Sequence, residues 1–313
     1  MINKDAKIYV AGHNGMVGSA IFRKLIMSGY NNIVTKSSKE LDLRNQNDVE
    51  NFFKREQPEF VFLAAAKVGG IGANMMFPSE FLVDNILIQT NVIKSSFLNN
   101  VKKLLFLGSS CIYPKNAPQP LKEDYLLSGF LESTNEGYAL AKITGLKMCE
   151  YYNKQYGANF VSLMPCNLYG ENDNFSLESS HVIPSLIRKF HEAKIKNLPF
   201  VEVWGSGNQF REFMYIDDLA DASIYTMKNY EEYQFLNVGT GEDLTIKELS
   251  ELIRSTVGYK GNIRFDKSKP DGMYRKVMDV SKINELGWKA KTSLRDGLDK
   301  TYNWYLKSIN QEV

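Results

Sequence analysis

The sequence has few of the residues and patterns on which several large protein classes depend. Its three cysteines, Cys111, Cys149 and Cys166, are too few and too unevenly spaced for a disulfide framework or a zinc site. The net charge is only +2 with both signs mixed along the chain, which disfavours nucleic acid as the main partner. No apolar run is long enough to span a membrane, and the first residues lack the apolar core of a signal peptide. We therefore expect a globular protein of the reducing cytoplasm, with no membrane contact and no metal site.

The order of apolar patterns predicts an α/β protein with a Rossmann-type, doubly wound parallel sheet. Strands are expected at 6–12, 32–36, 60–66, 102–110 and 159–165. Helices are expected at 15–29, 46–56, 78–99 and 138–156, and less regularly near 181–195, 217–228, 245–257 and 293–307. This pattern predicts a dinucleotide-binding domain over 1–170 with a return segment near 212–240. A smaller α/β lobe over 171–211 and 241–313 would bind the substrate.

A glycine-rich turn follows the first predicted strand and opens the first predicted helix. It has the spacing G-x-x-G-x-x-G, with glycines at 12, 15 and 18. Glycine lets the backbone approach a pyrophosphate, and a helix N-terminus favours its negative charge. The strand–turn–helix context indicates a dinucleotide site at Gly12, Asn14, Gly15, Met16, Val17 and Gly18.

The end of the second predicted strand bears on the choice of nicotinamide cofactor. NAD-binding proteins often have an acidic residue there, which bonds the ribose hydroxyls. This chain has Lys36-Ser37-Ser38-Lys39, and positive charge with hydroxyls suits the 2′-phosphate of NADP. A solvated surface turn remains an alternative for each lysine. Asp42, further along, is expected nearer the adenine ring.

Tyr138 and Lys142 are spaced i, i+4, which places them on one face of a predicted helix. A nearby ammonium can bring the pKa of a tyrosine closer to neutrality and make the phenol a proton donor or acceptor. Ser109 or Ser110, at the end of the fourth predicted strand, can bond the reacting oxygen from the other side. The alternative is an exposed tyrosine with a solvated lysine, which the glycine turn and the serine pair disfavour.

Several longer motifs are more specific than the glycine turn. They include GHNGMVGSAI, LLFLGSSCIYPK, TNEGYALAKI, SHVIPSLIRKFHEA, WGSGNQFREFMYIDD and SKPDG. With these motifs, nearly the whole chain resembles the extended short-chain dehydrogenase/reductases, and within them the GDP-L-fucose synthases. The resemblance implies an NADPH-dependent enzyme that converts a GDP-4-keto-6-deoxy-mannose-type sugar to GDP-L-fucose. It also implies a homodimer formed through the helices at 78–99 and 138–156.

The resemblance assigns hydride chemistry at C4 of the sugar to Ser109, Tyr138 and Lys142. It assigns epimerisation at C3 and C5 to Cys111 and His181, since a hydrogen beside a ketone is acidic and can be exchanged between two faces. Sequence spacing alone favours a buried core residue for Cys111 and a cap or surface residue for His181. Further cofactor contacts are implied at Lys36, Asp42, Leu43, Ala64, Ala65, Lys142, Pro165, Leu168 and His181.

The resemblance places the GDP-sugar between the two lobes. The implied contacts are Ser110, Asn167, Val182, Lys189, Trp204, Arg211 and Lys269. The cations would offset the diphosphate charge, and Trp204 offers a flat face to a guanine base. The alternatives are solvated surface charges and a lobe-packing tryptophan. His191 is expected on a helix surface, Cys149 in a helix core, and Cys166 near the site without a chemical role.

Two positions depart from the family pattern, and two other functions stay open. Asn14 stands where the family often has an arginine for the 2′-phosphate, which admits mixed use of NADP and NAD. Arg188-Lys189 stands where the family often has two arginines. One alternative is a C4 reductase for a related GDP-4-keto sugar, such as a 6-deoxy-heptose, epimerised by a separate enzyme. The other is a non-catalytic nucleotide-binding protein, for which a tuned tyrosine would have no use.

Overall fold

A computed structural model describes residues 2–177, 179–269 and 271–311 of the chain. Pro270 of the SKPDG motif lies outside the described residues. The strands are β1 (Ile8–Ala11), β2 (Ile33–Val34), β3 (Phe60–Leu63), β4 (Lys103–Leu107), β5 (Phe160–Pro165), β6 (Asn167–Tyr169), β7 (Phe200–Trp204), β8 (Phe210–Tyr215), β9 (Leu236–Val238), β10 (Asp243–Thr245), β11 (Asn262–Asp266) and β12 (Arg275–Lys276). The helices are α1 (Met16–Met27), α2 (Gln46–Glu56), α3 (Ile71–Met76), α4 (Pro78–Leu98), α5 (Glu136–Tyr156), α6 (Val182–Ile195), α7 (Ile216–Asn229), α8 (Ile246–Val257), α9 (Ser281–Glu285) and α10 (Leu294–Gln311).

The main sheet is parallel and has the strand order β2-β1-β3-β4-β5-β9. The β1, β4 and β5 strands are buried along their whole lengths, as strands covered on both faces should be. Helix α4 packs against both α2 and α5, and α1 packs against α7. This architecture confirms the predicted Rossmann-type fold. The strand order reverses between β1 and β3, which is where this fold binds its ligand.

A second group of strands lies beyond β5. Strand β8 pairs with β6 and β12 in parallel and with β10 antiparallel, while β7 pairs with β11. Strand β9 then returns to the edge of the main sheet beside β5. The chain therefore crosses between the main sheet and the smaller sheets within the segment predicted to return.

Close packing fixes helix α5 against the main sheet. A Cβ atom added to Gly145 would lie 2.5 Å from the Phe106 ring of β4, so glycine allows the helix to approach the strand. From the other side, Gln89 of α4 donates a hydrogen bond of 2.5 Å to the carbonyl of Ala141. These contacts hold the first turns of α5 over the carboxyl end of β4.

The prediction for His191 is wrong, whereas Cys149 is buried in α5 as expected. His191 is 8% exposed, and its Nδ1 atom lies 3.0 Å from the Tyr302 hydroxyl. The reason is that α10 covers this face of α6, which a reading of α6 alone does not reveal. No helix in the described part of the chain is long and apolar enough to cross a membrane.

Candidate active site

The glycine turn has the shape that a bound pyrophosphate needs. Gly12 has a φ of +86°, and a Cβ atom there would lie 2.7 Å from the amide nitrogen of Ala65. A Cβ atom at Gly18 would lie 2.1 Å from the carbonyl oxygen of Gly12. Both positions therefore require glycine, and they bring the turn against the residues that follow β3.

Helix α1 begins at Met16 with its first amides turned to this edge of the sheet. Its N-cap is Gly15, which offers no side-chain hydrogen bond, and its first turn contains no acidic residue. Unpaired amides and the positive end of the helix dipole suit a diphosphate. The residues present therefore fit a dinucleotide, and Met16 and Val17 pack against the core beside it.

Two further residues predicted to contact the cofactor, Ala64 and Pro165, lie at the carboxyl ends of β3 and β5. Ala64 donates a backbone hydrogen bond of 3.0 Å to Ala11, Pro165 ends β5 and Leu168 lies on β6. Asp42 forms a 2.8 Å ion pair with Arg44, whose hydrogen bonds lower the pKa of that carboxyl. The carbonyl of Leu43 accepts a hydrogen bond from Asn91.

Tyr138 and Lys142 lie one turn apart on α5, as predicted. The Lys142 ammonium is buried and donates a hydrogen bond of 2.8 Å to the carbonyl of Leu107, the last residue of β4. It lies 5.7 Å from the centroid of the Tyr138 ring. Burial lowers the pKa of Lys142 to about 8. This amine can therefore change its charge within the neutral to mildly basic range.

The pKa of the Tyr138 phenol moves opposite to the direction expected from the sequence. Burial raises it, the charge of a Cys111 thiolate raises it further, and a hydrogen bond with Ser109 lowers it. The lysine is itself desolvated and bonded to a carbonyl, so burial of the phenol dominates. Tyr138 is consequently a protonated phenol at neutral pH, which suits a proton donor.

Ser109 connects the tyrosine to the cysteine. Its backbone is extended, and its hydroxyl accepts a hydrogen bond of 3.3 Å from the amide of Cys111. The same side chain lowers the pKa of both the Tyr138 phenol and the Cys111 thiol by hydrogen bonding. Cys111 lies in the short 3-10 turn that follows β4 and is 7% exposed. The structure thus brings together three of the predicted catalytic side chains.

The sequence did not point to Lys276, which belongs to the same cluster. It lies on β12 in register with Arg211 of β8. Burial raises the pKa of the Cys111 thiol, and the Lys276 ammonium is the largest influence that lowers it. Burial also lowers the pKa of Lys276. A buried ammonium facing a thiol favours the thiolate, the form that can act as a base.

Glu212, also missed, holds the strands that carry these cations. Its carboxylate is fully buried and accepts hydrogen bonds from the amides of Thr240, Gly241 and Met278 at 2.6, 2.8 and 2.7 Å. One carboxylate thereby connects β8 to the turn after β9 and to the segment that follows β12. Because these contacts join distant segments, no local sequence pattern could reveal them.

His181 is the N-cap residue of α6, and Val182 begins the helix. Its side chain makes no capping hydrogen bond. Desolvation by its surroundings lowers the pKa of the imidazole below its usual value, although the residue as a whole keeps an exposed surface. The imidazole is therefore neutral at pH 7 and can accept a proton.

The predicted nucleotide-sugar residues fall into an exposed and a buried group. Trp204 ends β7 with 64% of its surface exposed, and the ammonium groups of Lys189 and Lys269 lie 5.8 and 5.4 Å from its ring centroid. A flat exposed ring close to two cations can hold a base with its phosphates. Within this group, Lys189 also donates to the carbonyl of Glu202 at 3.2 Å.

Arg211, Asn167 and Ser110 are more enclosed. Burial lowers the pKa of the Arg211 guanidinium, while the charge of Asp271 raises it. Asn167 donates a hydrogen bond of 2.8 Å to the carbonyl of Glu212, and Ser110 is buried next to Cys111. Arg211 is in register with Lys276 and Ser110 precedes Cys111 in the turn after β4, so both lie beside the catalytic cluster.

The comparisons with known proteins identify the family of this chain. The model of the NAD dependent epimerase/dehydratase family matches residues 8–239. The chain belongs to that family. Within it, the chain is 56% identical to "Putative GDP-L-fucose synthase 2" of Arabidopsis thaliana over 312 residues, which cover 100% of this chain and 95% of the relative.

This family member also has bacterial relatives of similar length. It is 51% identical to the GDP-L-fucose synthase of Escherichia coli strain K12, over 96% of this chain and 97% of that one. A solved structure, the GDP-mannoheptose C4 reductase of Campylobacter jejuni with NADP bound, matches with a TM-score of 0.91 and 44% identity. That match covers 98% of this chain and 100% of the reductase.

Proposed function

We propose that this protein converts a GDP-4-keto-6-deoxy-mannose-type sugar to GDP-L-fucose, by epimerisation at C3 and C5 and reduction at C4. The observation that carries this proposal is that the Ser109 hydroxyl accepts a hydrogen bond from the Cys111 amide, and that Ser109 lowers the pKa of both the Tyr138 phenol and the Cys111 thiol. The groups proposed for reduction and one of the two groups proposed for epimerisation, Cys111, therefore lie close together. High identity to GDP-L-fucose synthases over the full length supports the same substrate.

In the reduction, Tyr138 gives its proton to the C4 oxygen while Ser109 bonds that oxygen. The glycine turn and the first amides of α1 would hold NADPH, which would supply the hydride. The buried Lys142 lies beside the phenol and carries a pKa of about 8. When the phenol gives up its proton, the positive charge of Lys142 can therefore stabilise the negative phenolate that remains.

In the epimerisation, one of Cys111 and His181 removes the proton beside the ketone and the other returns a proton to the opposite face. The thiolate is favoured by Lys276 and opposed by burial. The imidazole is neutral at pH 7 because desolvation lowers its pKa. Electrons of the broken C–H bond delocalise onto the C4 oxygen, where the Ser109 and Tyr138 hydroxyls can bond the enolate.

We propose that the site lies between two lobes. The dinucleotide domain comprises 1–170 with the return segment near 212–240, and the nucleotide-sugar lobe comprises 171–211 and 241–313. Trp204 with Lys189 and Lys269 takes the guanine and its phosphates, and Arg211 takes a further phosphate oxygen. We place the protein in the cytoplasm because its three cysteines are unpaired, as is usual in a reducing compartment.

A C4 reductase that leaves epimerisation to another protein is the second candidate. Two observations favour it: the structural match to a GDP-mannoheptose C4 reductase and the burial that raises the pKa of the Cys111 thiol. The two candidates share the fold, the cofactor site and Tyr138. They differ in the configuration of the product at C3 and C5.

The direct test is turnover of GDP-4-keto-6-deoxy-mannose with NADPH, followed by NMR of the product. GDP-L-fucose supports the proposal, whereas a C4-reduced product with unchanged C3 and C5 supports the reductase alone. Tyr138→Phe should lower turnover by roughly 10²–10⁴-fold and leave cofactor affinity nearly unchanged. If the variant keeps full turnover, the proposed role of Tyr138 is wrong.

A further inference from the structure

The turn after β2 contains an acidic side chain that lies where the sequence suggested only cations and hydroxyls. Glu40 stands four residues after Lys36, and its carboxylate folds back over the turn. It accepts hydrogen bonds from the Ser37 amide at 2.9 Å and the Ser37 hydroxyl at 2.7 Å. Its other oxygen lies 3.1 Å from the Lys36 ammonium. One carboxylate therefore engages all three donors.

These donors are the ones that a phosphate group on the adenosine ribose would need. An ammonium, a hydroxyl and a backbone amide together form a typical phosphate site. Strand β2 pairs in parallel with β1, so the turn at its carboxyl end lies at the same sheet edge as the glycine turn. In this fold, that edge receives the ribose of the dinucleotide.

A similar pair elsewhere in the chain, Glu248 with Thr245, shows that hydrogen bonds from one residue's amide and hydroxyl to a glutamate three positions later are a common arrangement. Glu248 accepts hydrogen bonds from the Thr245 amide at 2.8 Å and the Thr245 hydroxyl at 2.7 Å, in the capping box of α8. Such a pair stabilises a turn or a helix start. The pair at Ser37 differs because a lysine joins it and because it lies at the dinucleotide edge of the main sheet.

The charge on Glu40 is permanent under working conditions. Hydrogen bonds from the Ser37 hydroxyl and amide, followed by the Lys36 ammonium, lower the pKa of the Glu40 carboxyl to about 2. The side chain is also exposed, so it is able to swing away from the turn. The Glu40 carboxylate is therefore bound to the turn by hydrogen bonds and can still be displaced from it.

Resting on the proposed dependence on NADP(H), we propose that the Glu40 carboxylate competes with the 2′-phosphate of the cofactor for Lys36 and Ser37. NADPH binding displaces the carboxylate, which costs its hydrogen bonds and brings two anions close together. With NADH the carboxylate stays and accepts a hydrogen bond from the ribose 2′-hydroxyl. Glu40 is thus a specificity-determining residue that reduces the preference for NADPH, and Asn14 adds no cation to restore it.

The experiment compares the dissociation constants of NADPH and NADH, measured by quenching of protein fluorescence. In Glu40→Gln, which keeps the shape but loses the charge, the ratio of the NADH constant to the NADPH constant should rise about three- to tenfold. In Lys36→Met the ratio should fall by a similar factor. Glu248→Gln removes the matching capping pair far along the chain and should leave the ratio unchanged.

The outcomes separate this inference from the proposed function. An unchanged ratio in Glu40→Gln, or equal weakening of both cofactors, overturns the role of Glu40 even if GDP-sugar turnover persists. A raised ratio together with no turnover of any GDP-4-keto sugar keeps the role of Glu40 and overturns the proposed function. If the wild-type protein binds neither cofactor, both are overturned.

Discussion

At the scale of single residues, burial and neighbouring charges act in opposite directions on the pKa values of the side chains in the site. Cys111 illustrates it, because burial raises the pKa of its thiol while the Lys276 ammonium, a hydrogen bond with Ser109 and the Lys142 ammonium lower it. Charged neighbours act strongly in a poorly solvated site. The proton chemistry of Cys111 should therefore depend on a lysine from a distant strand.

We predict that Lys276→Met makes the Cys111 thiolate harder to form. Removal of the ammonium takes away the largest opposing influence and leaves burial, so the pKa of the thiol should rise. Alkylation by iodoacetamide, followed at Cys111 by peptide mass mapping over pH 7 to 10, measures it. The rate at pH 8 should fall about three- to tenfold, and the profile should move to higher pH.

Lys269→Met serves as the control for that prediction, because Lys269 lies over Trp204 rather than beside the thiol. Its alkylation profile should match that of the wild-type protein. If Lys276→Met also leaves the profile unchanged, the ammonium does not act on Cys111, and its assignment to the catalytic cluster is wrong.

At the scale of elements, the glycine turn between β1 and α1 connects sequence to function most directly. We predict that Gly12→Ala abolishes measurable cofactor binding and destabilises the protein by about 1–3 kcal/mol. The new Cβ atom would lie 2.7 Å from the backbone of Ala65, at a positive φ that alanine tolerates poorly. Thermal unfolding and NADPH titration measure the two effects.

Gly29→Ala separates the effect of backbone strain from the effect of a steric clash such as that of Gly12→Ala with Ala65. Gly29 has a similar φ of +79°, but nothing lies within 4 Å of an added Cβ atom. This variant should lose stability through strain alone and keep its affinity for the cofactor. Equal loss of affinity in both variants would show that the close approach to Ala65 is unimportant for binding.

The elements that the sequence predicts well are those with long, regular apolar patterns. Helix α2 has the predicted bounds, and α4 and α5 differ by one or two residues at one end. Helix α3 was missed because its six residues are too short to show a period and follow two glycines. The short strands β10 and β12 are stabilised by pairing with β8, a long-range contact that leaves no local signal.

The same distinction applies to the site. Tyr138 and Lys142 are found from their spacing on one helix, and the glycine turn from its context. Cys111 and His181 came only from family resemblance. Lys276 and Glu212 were not found, because their importance arises from the pairing of β8 with β12. A carboxylate such as Glu40 looks like an ordinary surface charge until its fold-back onto the turn is seen.

At the scale of the whole molecule, we predict a homodimer formed through α4 and α5. These two helices pack side by side, and they expose apolar side chains that include Val83, Leu87 and Leu140. A four-helix contact between two copies would cover such residues. Light scattering at micromolar concentration should give the mass of two chains.

The double variant Leu87→Asp with Leu140→Asp should shift the mass to that of one chain, since charges disfavour a buried interface. Ile195→Asp, at an exposed apolar position that ends α6, is the control and should remain a dimer. A wild-type mass of one chain would contradict the predicted assembly.

The central claim is that one site both epimerises and reduces its sugar. The most direct measurement is incubation with GDP-4-keto-6-deoxy-mannose in deuterated water without NADPH, followed by NMR of the recovered sugar. We predict deuterium at C3 and C5 in the wild-type protein and its loss in Cys111→Ala. No exchange in the wild-type protein, together with NADPH oxidation in a parallel reaction, would contradict the claim and leave a C4 reductase.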